Sequence, residues 1–216
     1  MDGQIKNSQL VIWAPVIVVL ISSCSSFIFS TFIQEWAWIP VAIFYWGSMF
    51  AFIYFFTTKK ERSKWLSRAR GHAGWKAGTV LAGLFPLTIL FTNMGLLRES
   101  IAVTVFWLLF ALVNPFFEEG FWRGLLLDKL PFATIHTKIL YSTVLFIVSH
   151  PLLWGIFSIA NRSYMLFASL LIMSIVWSYA YYRIGSLRWP IFSHFLVDIG
   201  NLSVFTFLNL YIPPAM

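Results

Sequence analysis

Hydrophobic residues along this chain come in long blocks rather than in the alternation of a half-buried strand or the one-sided stripe of a soluble helix. The blocks run Leu10–Ser30, Ala37–Phe56, Trp75–Gly95, Ile101–Phe117, Ile139–Ile159, Leu166–Tyr182 and Ile191–Tyr211. Most are near the ~20 residues a helix needs to cross a bilayer. The pattern predicts an all-α fold, a polytopic transmembrane helical bundle of about seven spans. Residues 1–216 then form a single integral membrane domain. No internal repeat, low-complexity tract or glycine-rich phosphate loop interrupts the blocks, so no nucleotide cofactor is expected.

Composition points the same way, with 59% hydrophobic and 11% charged residues and a mean hydropathy of +0.79. Soluble domains carry about a quarter charged residues. The net charge of +7 does not imply a nucleic-acid partner, because no basic arm with interleaved aromatics stands apart from the spans. It is explained by topology. Lys59, Lys60, Arg62, Lys64, Arg68 and Arg70 fill the loop after the second block, and the positive-inside rule puts that loop in the cytoplasm. Threading the spans from there places Lys6, Lys76, Arg123, Lys129, Lys138, Arg183 and Arg188 on the same side and only Arg98 and Arg162 opposite. The N-terminus is expected inside and the C-terminus outside.

The first two blocks read as a helical hairpin with Gln34, Glu35 and Trp36 at its outer turn. The basic stretch with Trp65 and Leu66 reads as an amphipathic segment on the inner leaflet or as a solvated loop. Cys24 is the only cysteine, which excludes an intrachain disulfide. Ile21-Ser22-Ser23-Cys24 resembles a lipoprotein cleavage box, but apolar residues resume at once with Phe27-Ile28-Phe29. The segment therefore reads as a continuous first helix with small residues at a packing face.

Against this background three short patterns stand out: Glu118-Glu119-x-x-x-Arg123, Phe146-x-x-x-His150 and His194-x-x-x-Asp198. Ionisable groups are expensive in hydrocarbon, so a cluster of them marks a functional site. Residues four apart share a helix face. Glu119 is thus expected to pair with Arg123, leaving Glu118 for the bundle interior. Pro115 cannot donate to the carbonyl of Ala111 and predicts a kink or widened turn just before the glutamates. His150 precedes Pro151, and His194 with Asp198 sits in the first turns of the last span after Pro190. Two chemistries fit these residues. Zinc can take His150, His194, Glu118 and Asp198, or the same groups can act without metal by activating water and stabilising an oxyanion. Measured at ~1.5 Å per residue from the boundary charges, Glu118 lies within about one turn of the cytoplasmic face, His194 about 9 Å in, Asp198 about 15 Å and His150 about 18 Å.

The motifs, in this order, resemble the CPBP family of CAAX proteases and bacteriocin-processing enzymes, also called Abi, over Asn114 to Asn201. Residues 114–201 are accordingly expected to be the catalytic core. The resemblance implies an intramembrane endopeptidase of the glutamic type, with the active site opening toward the cytoplasm and no cofactor required, although the family was once described as zinc-dependent. It assigns Glu118 as the group that activates water, helped by His150. His194 and the residue at 198 become the oxyanion pair, with Glu119, Arg123 and Phe146 in support. The prenyl endopeptidase branch has Asn where this chain has Asp198. An ionised carboxylate cannot donate to an oxyanion, so Asp198 is expected to be protonated, to orient His194 through its ring N–H or to bind a cation, the second costing least because it keeps His194 as donor.

The expected partners are the bilayer and a membrane protein or peptide substrate: a lipidated C-terminus, a leader or a sorting segment. The expected location is a multi-pass position in the cell's inner or plasma membrane if the source is prokaryotic. Two other classes fit the same residues, a proton- or cation-coupled transporter and a non-proteolytic scaffold or immunity protein of the same fold.

Overall fold

The structure is a computed structural model that describes residues 2–68 and 71–213. Arg70 of the basic loop lies outside the described residues, among which there is helix and no strand. Among the described residues five helical stretches are long and apolar enough to cross a membrane: Gln9–Phe56, Ala73–Thr92, Ile101–Lys129, Ile135–Ile156 and Tyr164–Ile184. The first is the expected hairpin. Helix α1 (Asp2–Ile33) and helix α2 (Trp38–Phe56) are joined by a tight 3-10 turn over Gln34–Ala37. Helix α1 runs unbroken through Cys24, which is exposed on its outer face. Ser22 and Ser26 are buried, and Ser26 Oγ donates to the carbonyl of Leu153 at 2.6 Å. Large apolar side chains such as Phe32, Phe55 and Ile101 point outward, as expected where lipid is the solvent.

After α2 a capping box at Thr58 starts helix α3 (Lys59–Trp65). This helix packs onto the bundle through its last residue. Trp65 is buried and its Nε1 donates to Asp128 at 2.9 Å. Its C-terminal carbonyls are also held: Ser186 Oγ donates to Ser67 O at 2.8 Å and the Leu187 amide to Trp65 O at 2.8 Å. Lys129 Nζ meets Glu61 Oε1 at 2.6 Å, and this partner pulls the Glu61 carboxyl down to about 2. The depressed value means that any stability the pair adds is present above the ordinary glutamate range and is lost as pH falls through about 2. Both groups are about one-third exposed, so Lys129→Ala is expected to cost no more than about 1 kcal/mol in thermal unfolding.

Helices α4 (Ala73–Leu84) and α5 (Leu87–Thr92) form one stretch broken at Phe85–Pro86, and the short α6 (Leu96–Glu99) leads into α7 (Ile101–Glu118). The widened turn expected near Pro115 forms just beyond it, as a π-helical segment over Glu119–Leu125 that returns to α-helix in α8 (Leu126–Lys129). A wide turn leaves carbonyls to be satisfied elsewhere. Ser142 in α9 (Ile135–Leu153) supplies one donor, to Trp122 O at 2.7 Å. Helix α10 (Tyr164–Ile184) closes on Gly185, whose φ of 71° gives the left-handed cap that ends it.

The expected span Ile191–Tyr211 is not continuous. Helix α11 (Arg188–Gly200) has 13 residues, a rise of ~20 Å against the ~30 Å of a hydrocarbon core. The chain turns at Leu202, with φ 54°, into α12 (Ser203–Phe207). Hydropathy could not expose this break, because Val204, Phe205 and Phe207 are apolar for a different reason: they are buried inside the protein.

Helix α11 is pressed against α4. A Cβ added to Gly83 would sit 2.7 Å from the carbonyl of Ser193 and 2.8 Å from its Oγ. That hydroxyl accepts from Trp177 Nε1 at 2.9 Å and donates to Thr79 O at 2.6 Å, tying three helices together beside His194. Gly83→Ala is therefore expected to destabilise the detergent-solubilised protein by about 1–3 kcal/mol, read as a lowered unfolding midpoint.

Candidate active site

The three sequence patterns converge on His194. Its Nδ1 donates to Glu119 Oε1 at 2.8 Å, and its Nε2 lies 3.4 Å from Glu118 Oε2 and 3.7 Å from Asp198 Oδ2. Glu118, Glu119, His194 and Asp198 are all at least 95% buried. Glu119 also receives Arg123 NH1 at 3.0 Å, so one carboxylate oxygen holds both the guanidinium and the imidazole. The pairing expected four residues apart is present. The convergence of both glutamates on one histidine, from opposite ring nitrogens, was not expected; the π-helical segment lets adjacent residues share the interior.

Aromatic faces complete the cradle. Arg123 is fully buried, with its guanidinium 4.4 Å from the centroid of Phe146 and 5.2 Å from that of Trp177, an arrangement favoured by the negative potential of a ring face. Trp177 stacks on His194 at 4.7 Å, and Phe146 packs edge-on to His150 at 4.8 Å. His150 Nδ1 donates to the carbonyl of Phe146 at 2.9 Å. That bond fixes the tautomer and leaves Nε2 as an acceptor.

Two expectations are corrected here. Asp198 is not the group that orients His194; Glu119 does so, since it takes the Nδ1 proton. Asp198 accepts instead from Asn114 Nδ2 at 3.1 Å, and Asn114 is in turn fixed by Trp46 Nε1 at 2.9 Å. Arg123 does not mark the cytoplasmic boundary, because it is buried in the cluster. The next basic residue along this stretch is Lys129, about 16 Å beyond Glu118 at the helical rise.

Tyr45 and Asn114 belong to the site although neither is in the motifs. The Tyr45 hydroxyl accepts from Trp122 Nε1 at 3.1 Å, and Tyr45 is fully buried. Both residues were readable only as polar groups inside apolar spans, a weak signal for one tyrosine among 8.

Glu118, His150, His194 and Asp198 line one cavity of about 90 Å³, several times the ~10–15 Å³ that one water requires on the same measure. Its other walls include Leu166, Leu170 and Met173 of α10, Ala160 and Asn161, and Ser203 and Thr206 at α12. A zinc site needs about four donors around one point. Among the described residues no group of three or more His, Cys, Asp and Glu is so arranged.

Fold and site together define a polytopic helical membrane protein with a buried carboxylate–histidine centre facing a water-sized chamber. The model of the family described as Type II CAAX prenyl endopeptidase Rce1-like matches residues 100–200, the segment that supplies every motif residue. Over that segment, a little under half of the chain, the protein is similar to the family so described. No curated protein and no solved structure matches the chain.

Proposed function

We propose that this protein is an intramembrane endopeptidase that cleaves a membrane-associated polypeptide with water activated by Glu118. The observation that carries the proposal is the position of Glu118: a buried carboxylate on the chamber wall, 3.4 Å from His194 Nε2, whose Oε2 has no hydrogen-bond partner among the described residues. A base must lie within reach of the proton it takes, and a water-sized chamber beside it supplies the nucleophile. His150 Nε2 accepts from that water and orients it.

In the reaction, Glu118 takes a proton as the water oxygen bonds to the scissile carbonyl carbon. The resulting oxyanion is met by protonated His194, which donates from Nε2 while Nδ1 remains on Glu119. Asp198 supplies negative charge beside the same ring. As the C–N bond breaks, the proton held by Glu118 passes to the leaving nitrogen, so acid and base are one group. Glu119, Arg123 and Phe146 hold the imidazoles rather than touch substrate. No metal takes part, and a chelator is expected to leave turnover unchanged.

The test is a comparison of new peptide termini in membranes from cells expressing wild type or His150→Ala at matched abundance, read by mass spectrometry. Cuts that depend on His150 support the proposal. Identical peptide sets would overturn it in favour of a scaffold role.

A further inference from the structure

Helices α4 and α11 start side by side. A Cβ on Gly83 would meet Ser193, and one on Gly200 would meet the backbone of Pro86 and Leu87, so the two stretches run parallel with both N-terminal ends at the basic loop. Around those ends Arg68, Lys76 and Arg188, with Trp189 and Phe192, line a hollow of about 530 Å³. Arg68 and Arg188 are exposed, and Arg188 Nε donates to Leu66 O at 2.7 Å, which ties the guanidinium to the loop. Among the described residues no acidic side chain lines this hollow. The N-terminus of a helix carries partial positive charge and favours anions. Here two parallel N-termini add to three side-chain cations.

A second hollow, of about 420 Å³, shares Arg188 and Phe192 with the first and runs between α7 and α11. Its other walls include Leu112 and Phe116 on α7 and Ile191 and Phe195 on α11, with Leu66 of the loop. Apart from Arg188 they are apolar, and Leu66, Leu112, Phe116 and Phe192 are exposed. From Arg188 to Phe195 the helix rises ~10 Å, so this groove leads from the level of the charges into the hydrocarbon. Trp189, beside the cations, is of the type that favours the headgroup level. A cationic hollow joined to an apolar groove has the outline of an amphiphile.

We infer that the two hollows together bind one anionic phospholipid, with its phosphate at Arg68 and Arg188 beside Lys76 and an acyl chain along the groove between α7 and α11. A zwitterionic lipid suits the place less, because its ammonium group would face the same three cations. The positive-inside rule puts this end of the bundle in the leaflet that holds anionic lipid. The lipid spans the outer faces of the two helices whose inner faces form the site: α7 carries Asn114 and Glu118, α11 carries His194 and Asp198, and Asn114 Nδ2 donates to Asp198 at 3.1 Å across them. It therefore clamps that contact from outside. The lipid site stands whether or not the protein is a protease.

Native mass spectrometry of the detergent-purified protein tests this, with phosphatidylglycerol and phosphatidylcholine of identical chains added in equal amounts. Wild type is expected to retain one phosphatidylglycerol with a preference of roughly tenfold, the scale set by two basic side chains at a membrane surface. The double variant Arg68→Gln with Arg188→Gln should lose the preference. Lys59→Gln with Lys60→Gln, which removes the same charge from the exposed start of α3, should keep it. Because Arg188→Gln also removes the bond to Leu66 O, Arg68→Gln alone is measured as well and should weaken the preference several-fold. Equal retention of the two lipids by wild type, an unchanged preference in the Arg68 and Arg188 variants, or an equal loss in the lysine pair overturns the site. Displacement of phosphatidylglycerol by an equal concentration of inorganic phosphate would make it an anion site without a lipid groove, and overturns the assignment of a phospholipid.

Discussion

Glu118→Gln is expected to lower turnover by about 10²–10⁴-fold, the range removed with a general base, while the protein accumulates and unfolds much as wild type. Gln keeps the shape of the side chain, so the packing around α7 is retained. It cannot take a proton from water at neutral pH. The loss should fall on kcat with little change in KM, because the carboxylate acts on the water and not on substrate affinity. Turnover by Glu118→Gln near the wild-type rate would remove this group from the chemistry. The readout is the initial rate of cleavage in liposomes, compared at equal protein.

Glu119→Ala is expected to damage the protein more deeply, destabilising it by about 3–5 kcal/mol, the cost of leaving one member of a buried ion pair alone. Arg123 is fully buried, and the hydrogen bond it makes goes to Glu119, with Nε and NH2 unpartnered. The same substitution frees His194 Nδ1 from its acceptor, so the ring loses its fixed orientation. Stability and activity can be separated. The double variant Glu119→Leu with Arg123→Met removes both charges, and replacing a buried pair by apolar groups is often neutral. It is expected to recover much of the unfolding midpoint in detergent but not the turnover. Recovery of both would mean that Glu119 contributes only to stability.

Much of this was legible in the chain because the physics is local. Blocks of apolar residues must become helices in lipid, since every backbone amide has to be satisfied within its own segment. The spacing of four in Glu119/Arg123 and Phe146/His150 places each pair on one face, and both pairs are in contact. What stayed hidden depends on tertiary packing. The break after Gly200 is invisible to hydropathy because α12 is apolar for the protein core and not for lipid. The role of Asn114 emerges only when α7 meets α11. Arg123 misled the depth count because a charge in a membrane chain marks either a headgroup boundary or a buried partner, and sequence alone does not separate them.

Between Lys129 and the glutamates lies a buried aromatic and aliphatic layer, and the π-helical segment is the device that turns two consecutive carboxylates inward. A water-excluded centre of this kind strengthens the electrostatic contacts within it.

The most direct measurement is the rate of peptide cleavage by the purified protein in chelator-treated liposomes, wild type against Glu118→Gln, on a substrate drawn from the His150-dependent cuts. Chelator-resistant cleavage by wild type and a loss of at least about 10²-fold in the variant is the predicted result. Equal rates for the two proteins, or activity that vanishes with the chelator and returns with zinc, would contradict water activation by Glu118 alone.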